Sequence, residues 1–300
     1  MKKKNAWAAL PVLAAGTLWG LMGLFVRRLN AAGLGSMEVA ELRILTGLAL
    51  VGLYLLIARR DLLRVRLRDL WCFFGTGVIS LLLFSNCYFT AMRYASLSAA
   101  AVLLYTAPAF VMVLSLLLFR EQLTARKGAA LGLAFLGCVL VSGLGSDAAL
   151  SLPGLLFGLG AGFFYALYSI FGRYAIRRGY QAWTLTFYTF LFCALGGAAL
   201  TDWGTVGAAL SASGPGTAGW ILTMGVVTAV LPYVLYAVGL EHMESSRASI
   251  LASVEPVVGT LVGVLLFHEP LTAGGVAGTA LVLSAVALLS LPARAKAAQE

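Results

Sequence analysis

Glu255 stands in the middle of a long apolar run, directly before a proline, in the stretch SSRASILASVEPVVGTLVGVLLFHEPLT. A charged side chain at the centre of a lipid-spanning helix costs about 2.5–3.5 kcal/mol on insertion scales, so this carboxyl belongs against a cavity or a partner. Two chemistries fit it. One is binding of a cationic group, or uptake and release of a proton. The other is structural, a protonated carboxyl or a hydrogen-bonded clamp between helices. The aromatic residues that could share its cavity include two pairs, Tyr165 with Tyr168 and Tyr233 with Tyr236. Residues three apart share a helix face. Trp19, Tyr88 and Tyr105 add further rings. Tyrosine brings an apolar ring and a hydroxyl that needs a partner when buried, and several rings around a carboxylate suit a cation or a planar metabolite. Interfacial anchoring accounts for Trp7, Trp71 and Trp203, but less well for Trp19 and Tyr236, which lie deep in their apolar runs. Asn86 and Thr90, four apart, can line a cavity or bond across helices.

Pro256 has a counterpart. Pro108 lies 148 residues earlier, in SLSAAAVLLYTAPAFVMVLSLLLFREQLT, and at that offset Phe119 meets Phe267, Glu121 meets Glu269, and Thr124 meets Thr272. Ala107 stands opposite Glu255, so the prolines are paired and the charge is not. Proline removes a helix hydrogen bond and clashes with the preceding turn. In a membrane the freed backbone is tolerated only where protein or a water-filled cavity meets it. Interrupted helices at equivalent places in two repeats therefore point to a central binding site. Glu121 and Glu269 read as joint residues at the ends of these segments, with Thr124 and Thr272 as caps of the helices that follow. Glu41 and Arg43, with Glu38 a turn earlier, read as ion pairing near a membrane end.

These residues need helices to position them, and the composition supplies helices of one kind. Of 300 residues, 61% are hydrophobic and 11% charged, where a soluble chain carries about 25% charged. Mean hydropathy is +0.93. Apolar runs of about 20 residues, the length that spans a bilayer, fall at roughly 7–27, 38–58, 69–91, 97–119 and 126–144, then 153–173, 181–200, 217–240, 247–267 and 273–291. The seventh is the shortest and richest in Thr and Gly. The expected fold is an all-α membrane protein of ten transmembrane helices. MKKKNAW and the run after it read as an uncleaved first helix rather than a signal peptide.

The net charge of +9 does not indicate nucleic acid here, because 17 of the 21 Lys and Arg fall on one side of this topology, while only Arg27, Arg28 and Arg93 fall in loops on the other. That bias puts both termini in the cytoplasm. Five helices per half is an odd number, so the second half starts on the opposite side and the repeats must be inverted, with boundaries at 1–147 and 148–300. Ser85 and Tyr88 then align with Tyr233 and Tyr236. At an offset of 146, Trp19 aligns with Tyr165, and Arg27 with Arg173. GxxxG patterns at Gly16, Gly128, Gly154, Gly259 and Gly274 point to close helix packing. Cys72, Cys87, Cys138 and Cys193 form no CxxC and read as small hydrophobes. His268-Glu269 lacks the second histidine of HExxH. With no acidic pair in mid-span and both histidines near loops, an intramembrane enzyme finds neither a nucleophile–base pair nor a metal cluster. A non-transporting receptor would usually carry a soluble domain.

Leu18-Trp19-Gly20, Arg43, and the two cores APAFVMVLSLLLFREQLT (107–124) and EPVVGTLVGVLLFHEPLT (255–272) carry a family resemblance. Over essentially its whole length the chain resembles the EamA-type members of the drug/metabolite transporter superfamily. The resemblance implies two inverted five-helix repeats around a central cavity in the bacterial inner membrane, no cofactor, and efflux of small metabolites such as amino acids or amine compounds by alternating access. An importer of a quaternary amine such as choline is the alternative it leaves open. The expected partners are a small-molecule substrate and the lipid bilayer, with no nucleic acid, the chain acting as a monomer or weak homodimer.

Overall fold

A computed structural model describes residues 2–143 and 151–290, and regular structure there is helical throughout. Eight helices are long and apolar enough to cross a membrane, which makes this a multi-pass integral membrane protein. Ala182–Gly197 is apolar but shorter, with 16 residues, and Ala125–Val141 has 17. The join between the halves, and the basic residues Arg294 and Lys296, lie outside the described residues.

In chain order, α1 (Lys2–Gly20) and α2 (Met22–Asn30) are separated only at Leu21. α3 is Ser36–Ala58. α4 (Leu70–Phe74) runs through a π-helical segment, Gly75–Leu82, into α5 (Leu83–Tyr94). α6 (Leu97–Leu104) and α7 (Ala107–Phe119) follow, then α8 (Ala125–Val141), α9 (Leu152–Arg177) and α10 (Ala182–Gly197). α11 (Trp203–Met224) passes through a second π segment, Gly225–Val230, into α12 (Leu231–His242). The last three are α13 (Ser245–Ala252), α14 (Glu255–Phe267) and α15 (Ala273–Ser290).

The helix containing α11 begins well before the apolar run at 217. Asp202 is the reason: its carboxylate accepts from the N–H groups of Gly204 at 2.9 Å and Thr205 at 3.3 Å, capping a helix that hydropathy alone misses.

The repeat is visible in the element bounds. α5 and α12, α6 and α13, and α7 and α14 start and stop 148 residues apart, and both π segments end at that same offset. α7 and α14 both finish in a left-handed residue, Arg120 and His268, each at φ 54°. Thr124 and Thr272 cap the next helices, accepting from Lys127 N at 3.2 Å and Gly275 N at 3.0 Å. The π segments had no sequence signal. Unlike proline, an extra residue in a helical turn leaves the apolar pattern intact, and such bulges are frequent at functional sites.

Both proline-containing helices are interrupted. A turn at 105–106 divides α6 from α7, and one at 253–254 divides α13 from α14. Pro108 and Pro256 fall in the first turn of the second piece, where the missing N–H has no helical partner to lose. The carbonyls left without that donor are those of Leu104 and Ala252, four residues back. Glycine brings a neighbouring helix against each. A Cβ at Gly16 of α1 would stand 2.8 Å from the Ala252 carbonyl oxygen, and one at Gly162 of α9 would stand 3.3 Å from that of Leu104. So α1 crosses the break in the second half and α9 crosses the break in the first.

α8 and α15 form the most extensive helix pair. Their contact is not made by the pattern at Gly128 and Gly132, whose Cα positions face open space. Gly137 makes it instead, with Gly278: a Cβ on Gly278 would lie 2.5 Å from the Gly137 carbonyl oxygen. Gly278→Leu should therefore destabilise the protein by about 1–3 kcal/mol through overpacking, while Gly132→Leu stays near neutral. Thermal unfolding of the two variants in detergent checks this, and equal melting temperatures would place the crossing elsewhere.

Candidate functional site

Trp19, near the end of α1, is the hub of an aromatic cluster. It is buried, with ring centroids 5.3 Å from Tyr233, 5.5 Å from Tyr236 and 6.5 Å from Tyr165. Tyr168 extends the cluster, 5.3 Å from Tyr233 and 6.0 Å from Tyr236. The edge-on angles, 78° for Trp19 on Tyr233 and 88° for Tyr168 on Tyr233, are those favoured by ring quadrupoles. One face of the cluster borders a small cavity of about 30 Å³, lined also by Leu81, by Ala107, Pro108 and Val111 of α7 and by Ser249 and Ala252 of α13. That volume holds a water or two.

Polar groups are few and specifically placed. The Ser169 hydroxyl and Tyr236 hydroxyl lie 2.8 Å apart. The Tyr168 hydroxyl is buried with no hydrogen-bond partner, although its ring lines the cavity. A buried donor left unsatisfied costs about 1–3 kcal/mol, and this hydroxyl finds no acceptor among the described residues.

Glu255 is the first residue of α14 and is half-buried. It therefore sits at the positive end of a helix dipole, at the same break that frees the Ala252 carbonyl. The close approach of α1 fixes it there, because a Cβ at Gly20 would be 2.6 Å from the Glu255 carbonyl oxygen. Arg43, Tyr88, Tyr105 and Tyr165 all lie within electrostatic reach of its carboxylate. Tyr105 packs on the cluster of Cys138, Val257 and Val282, and Tyr88 stacks on Phe84, which touches Tyr165 at 5.1 Å.

Of the residues singled out in the sequence, Trp19, Tyr165, Tyr168, Tyr233, Tyr236 and Pro108 line the cavity. Glu255, Tyr88 and Tyr105 form a second group beside it, and Pro256 lies at the break that places Glu255. Asn86 is exposed and lines no part of the cavity. Ser169 and Ser249 were not singled out, although Ser169 follows Tyr165 by four residues and so shares its helix face. Glu41 and Arg43 make no ion pair: Glu41 is buried, and Arg43 reaches Met22 Sδ at 3.8 Å. Among the described residues, no group of three or more His, Cys, Asp or Glu side chains is arranged to hold a metal.

The two ends of the bundle differ. At the end carrying Arg59 to Arg68, Glu121 is buried and accepts from Ser245 N at 2.9 Å, Ser246 N at 3.2 Å and Ser246 Oγ at 2.5 Å. Lys127 pairs with Glu244 at 2.6 Å, and Arg173 donates to the carbonyls of Leu240 and Met243. The first turn of α13 is thereby tied to the loop after α7. At the opposite end Glu269, the repeat equivalent of Glu121, pairs with Arg27 at 2.5 Å, with both side chains about half exposed. It makes none of the three bonds that Glu121 makes. Glu121 thus ties α13 to the loop after α7 by three hydrogen bonds, whereas Glu269 makes a single half-exposed ion pair.

A model of the EamA-like transporter family matches the chain twice, over residues 6–143 and 152–291. A protein described as an uncharacterized transporter from Archaeoglobus fulgidus is 32% identical over 279 residues, covering 92% of this chain and 93% of its own. The uncharacterized transporter YwfM of Bacillus subtilis is 24% identical, covering 95% of this chain and 94% of its own. Protein RarD of Streptomyces exfoliatus is 27% identical, covering 91% and 84%. A solved crystal structure shares the fold with a TM-score of 0.76 at 19% identity, covering 94% of this chain and 95% of that one.

Proposed function

The chain belongs to the EamA-like transporter family, and from that premise we propose that this membrane transporter is a secondary active exporter of small metabolites bearing an amine, amino acids among them. On this reading ten helices cross the inner membrane as two inverted five-helix repeats, 1–147 and 148–300, with both termini cytoplasmic. The halves rock about the aromatic cavity, exposing it to each side in turn. The observation that carries the proposal is a ring-lined cavity between two interrupted helices, with the unpartnered Tyr168 hydroxyl buried in the ring cluster at its wall. Glu255 supports recognition of an ammonium group, and the guanidinium of Arg43, within reach of Glu255, supports recognition of a carboxylate. The buried Glu121 network supports a state closed on the cytoplasmic side.

Counterflow into proteoliposomes, with a mixture of labelled amino acids and amines, tests the substrate class. Accumulation of at least one amine-bearing compound, competed by its unlabelled form, is expected. Accumulation of none, with other metabolites accepted, would overturn it. The inverted topology is tested separately. Reporter fusions after Asp147 and at Glu300 should report opposite sides of the membrane; the same side for both refutes the inversion.

A further inference from the structure

A second cavity lies across Arg43 from the aromatic cluster, between α3, the helix of α5, and α10. Glu41, Arg43, Leu81, Ser85 and Cys193 are among its lining residues. Glu41 is only 3% exposed, faces this cavity, and its Oε1 has no hydrogen-bond partner. Its Oε2 lies against the backbone of Gly197 in α10, so closely that a Cβ on that glycine would collide with it. The Arg43 Nε is likewise buried without a partner. A carboxylate taken out of water without a donor is costly while it carries charge. No side chain on the cavity wall donates a hydrogen bond to Oε1.

We propose that Glu41 is a proton-binding site, separate from the substrate cavity, whose occupancy is read by Arg43. The step is a simple one: a proton from water bonds to the carboxylate, which becomes a neutral acid, and no other bond changes. A metal cation fits the cavity poorly, because hard cations take several oxygen ligands while the side chains here offer only Glu41 and Ser85, beside a guanidinium. The charged and titratable groups facing Glu41 are Arg43 on its own helix and Cys193 on α10; beyond Arg43 lie Tyr233 on α12 and Glu255 on α14. Glu41 and Arg43 both border Cys193, and Arg43 in turn lies within electrostatic reach of Glu255. A proton on Glu41 removes a negative charge from the wall that Arg43 also lines, and so alters the field in which Arg43 meets Glu255 and whatever occupies the aromatic cavity. If substrate meets Arg43 as the proposed function has it, proton and substrate are thermodynamically linked, each altering the other's affinity by the same factor.

Infrared difference spectra across a pH titration of the detergent-purified protein test the site without any substrate. Wild type should show a protonated-carboxyl C=O band that titrates, and Glu41→Gln should lose it. Glu255→Gln should keep it. Gly197→Ala, whose new Cβ displaces Oε2, should shift it. A titrating band unchanged in Glu41→Gln overturns the site, and so does wild type with no such band. If Glu41→Gln does not fold, Glu41→Asp and Gly197→Ala decide: a band at its wild-type position in both overturns the proposal. The two readings fail separately. A band with the expected behaviour but no amine-bearing substrate sinks the transport reading alone, and transport without the band sinks the proton site alone.

Discussion

Trp19→Ala should weaken apparent substrate affinity tenfold or more and lower the melting temperature as well. Trp19 is 7% exposed and touches three tyrosine rings from two other helices. Removing a buried tryptophan side chain costs about 3–5 kcal/mol through lost burial and the void left behind, and each edge-on ring pair adds about 0.5–1.5 kcal/mol. A fall in affinity in this variant alone could therefore come from loosened packing. Two milder changes separate the effects. Trp19→Phe keeps a ring at the hub and should recover most of the stability. Tyr168→Phe removes only a hydroxyl that has no partner in the protein, so it should leave the melting temperature unchanged or slightly raised while weakening substrate binding by up to roughly tenfold, one hydrogen bond's worth. Uptake measured against substrate concentration, beside thermal unfolding of the same preparations, gives both quantities. Unchanged affinity in both Trp19→Ala and Tyr168→Phe would mean that substrate binds elsewhere.

Much of this arrangement was legible in the chain because proline and tyrosine carry their structural meaning with them. Pro108 and Pro256 each break a helix one turn ahead of themselves, and the tyrosine pairs at i, i+3 land on the faces that meet Trp19. What escaped the sequence has a common cause. In a lipid-facing helix both faces are apolar, so periodicity cannot say which face is inside. Gly128 and Gly132 were therefore indistinguishable from Gly137, although only Gly137 meets α15. The π segments at 75–82 and 225–230 left no mark, because an inserted turn changes register without changing composition. Glu41 looked like half of an ion pair because Arg43 is close in sequence. Residues two apart on a helix do not face each other for pairing, and only the fold shows that both border one cavity, each with a buried atom left without a partner.

Glu121→Ala should open the cavity toward the basic end and so raise the reactivity of a thiol placed inside it. Glu121 is 7% exposed and takes three hydrogen bonds from Ser245 and Ser246, two of them from N–H groups in the first turn of α13. Hydrogen bonds to a charged group contribute about 1.5–3 kcal/mol each, so even partial loss of this network shifts the closed-to-open balance tenfold or more. Glu269 occupies the same place in the other half but pairs only with Arg27, about half exposed to solvent, and such pairs contribute about 0–1 kcal/mol. Glu269→Ala should therefore leave that balance nearly untouched. Ser249→Cys, in a chain whose four native cysteines are replaced by alanine, puts a thiol on the cavity wall. A charged thiol reagent applied from the side of the basic end should label it at least tenfold faster with Glu121→Ala than without it, and at the unaltered rate with Glu269→Ala. Equal acceleration by both variants would mean that the two ends are held alike, and the asymmetry between the carboxylates would carry no mechanical meaning. The predicted difference would instead make Glu121 the latch of this conformation. Glu269 becomes its counterpart in the opposite one, where the matching partners are the first residues of α6, Leu97 and Ser98.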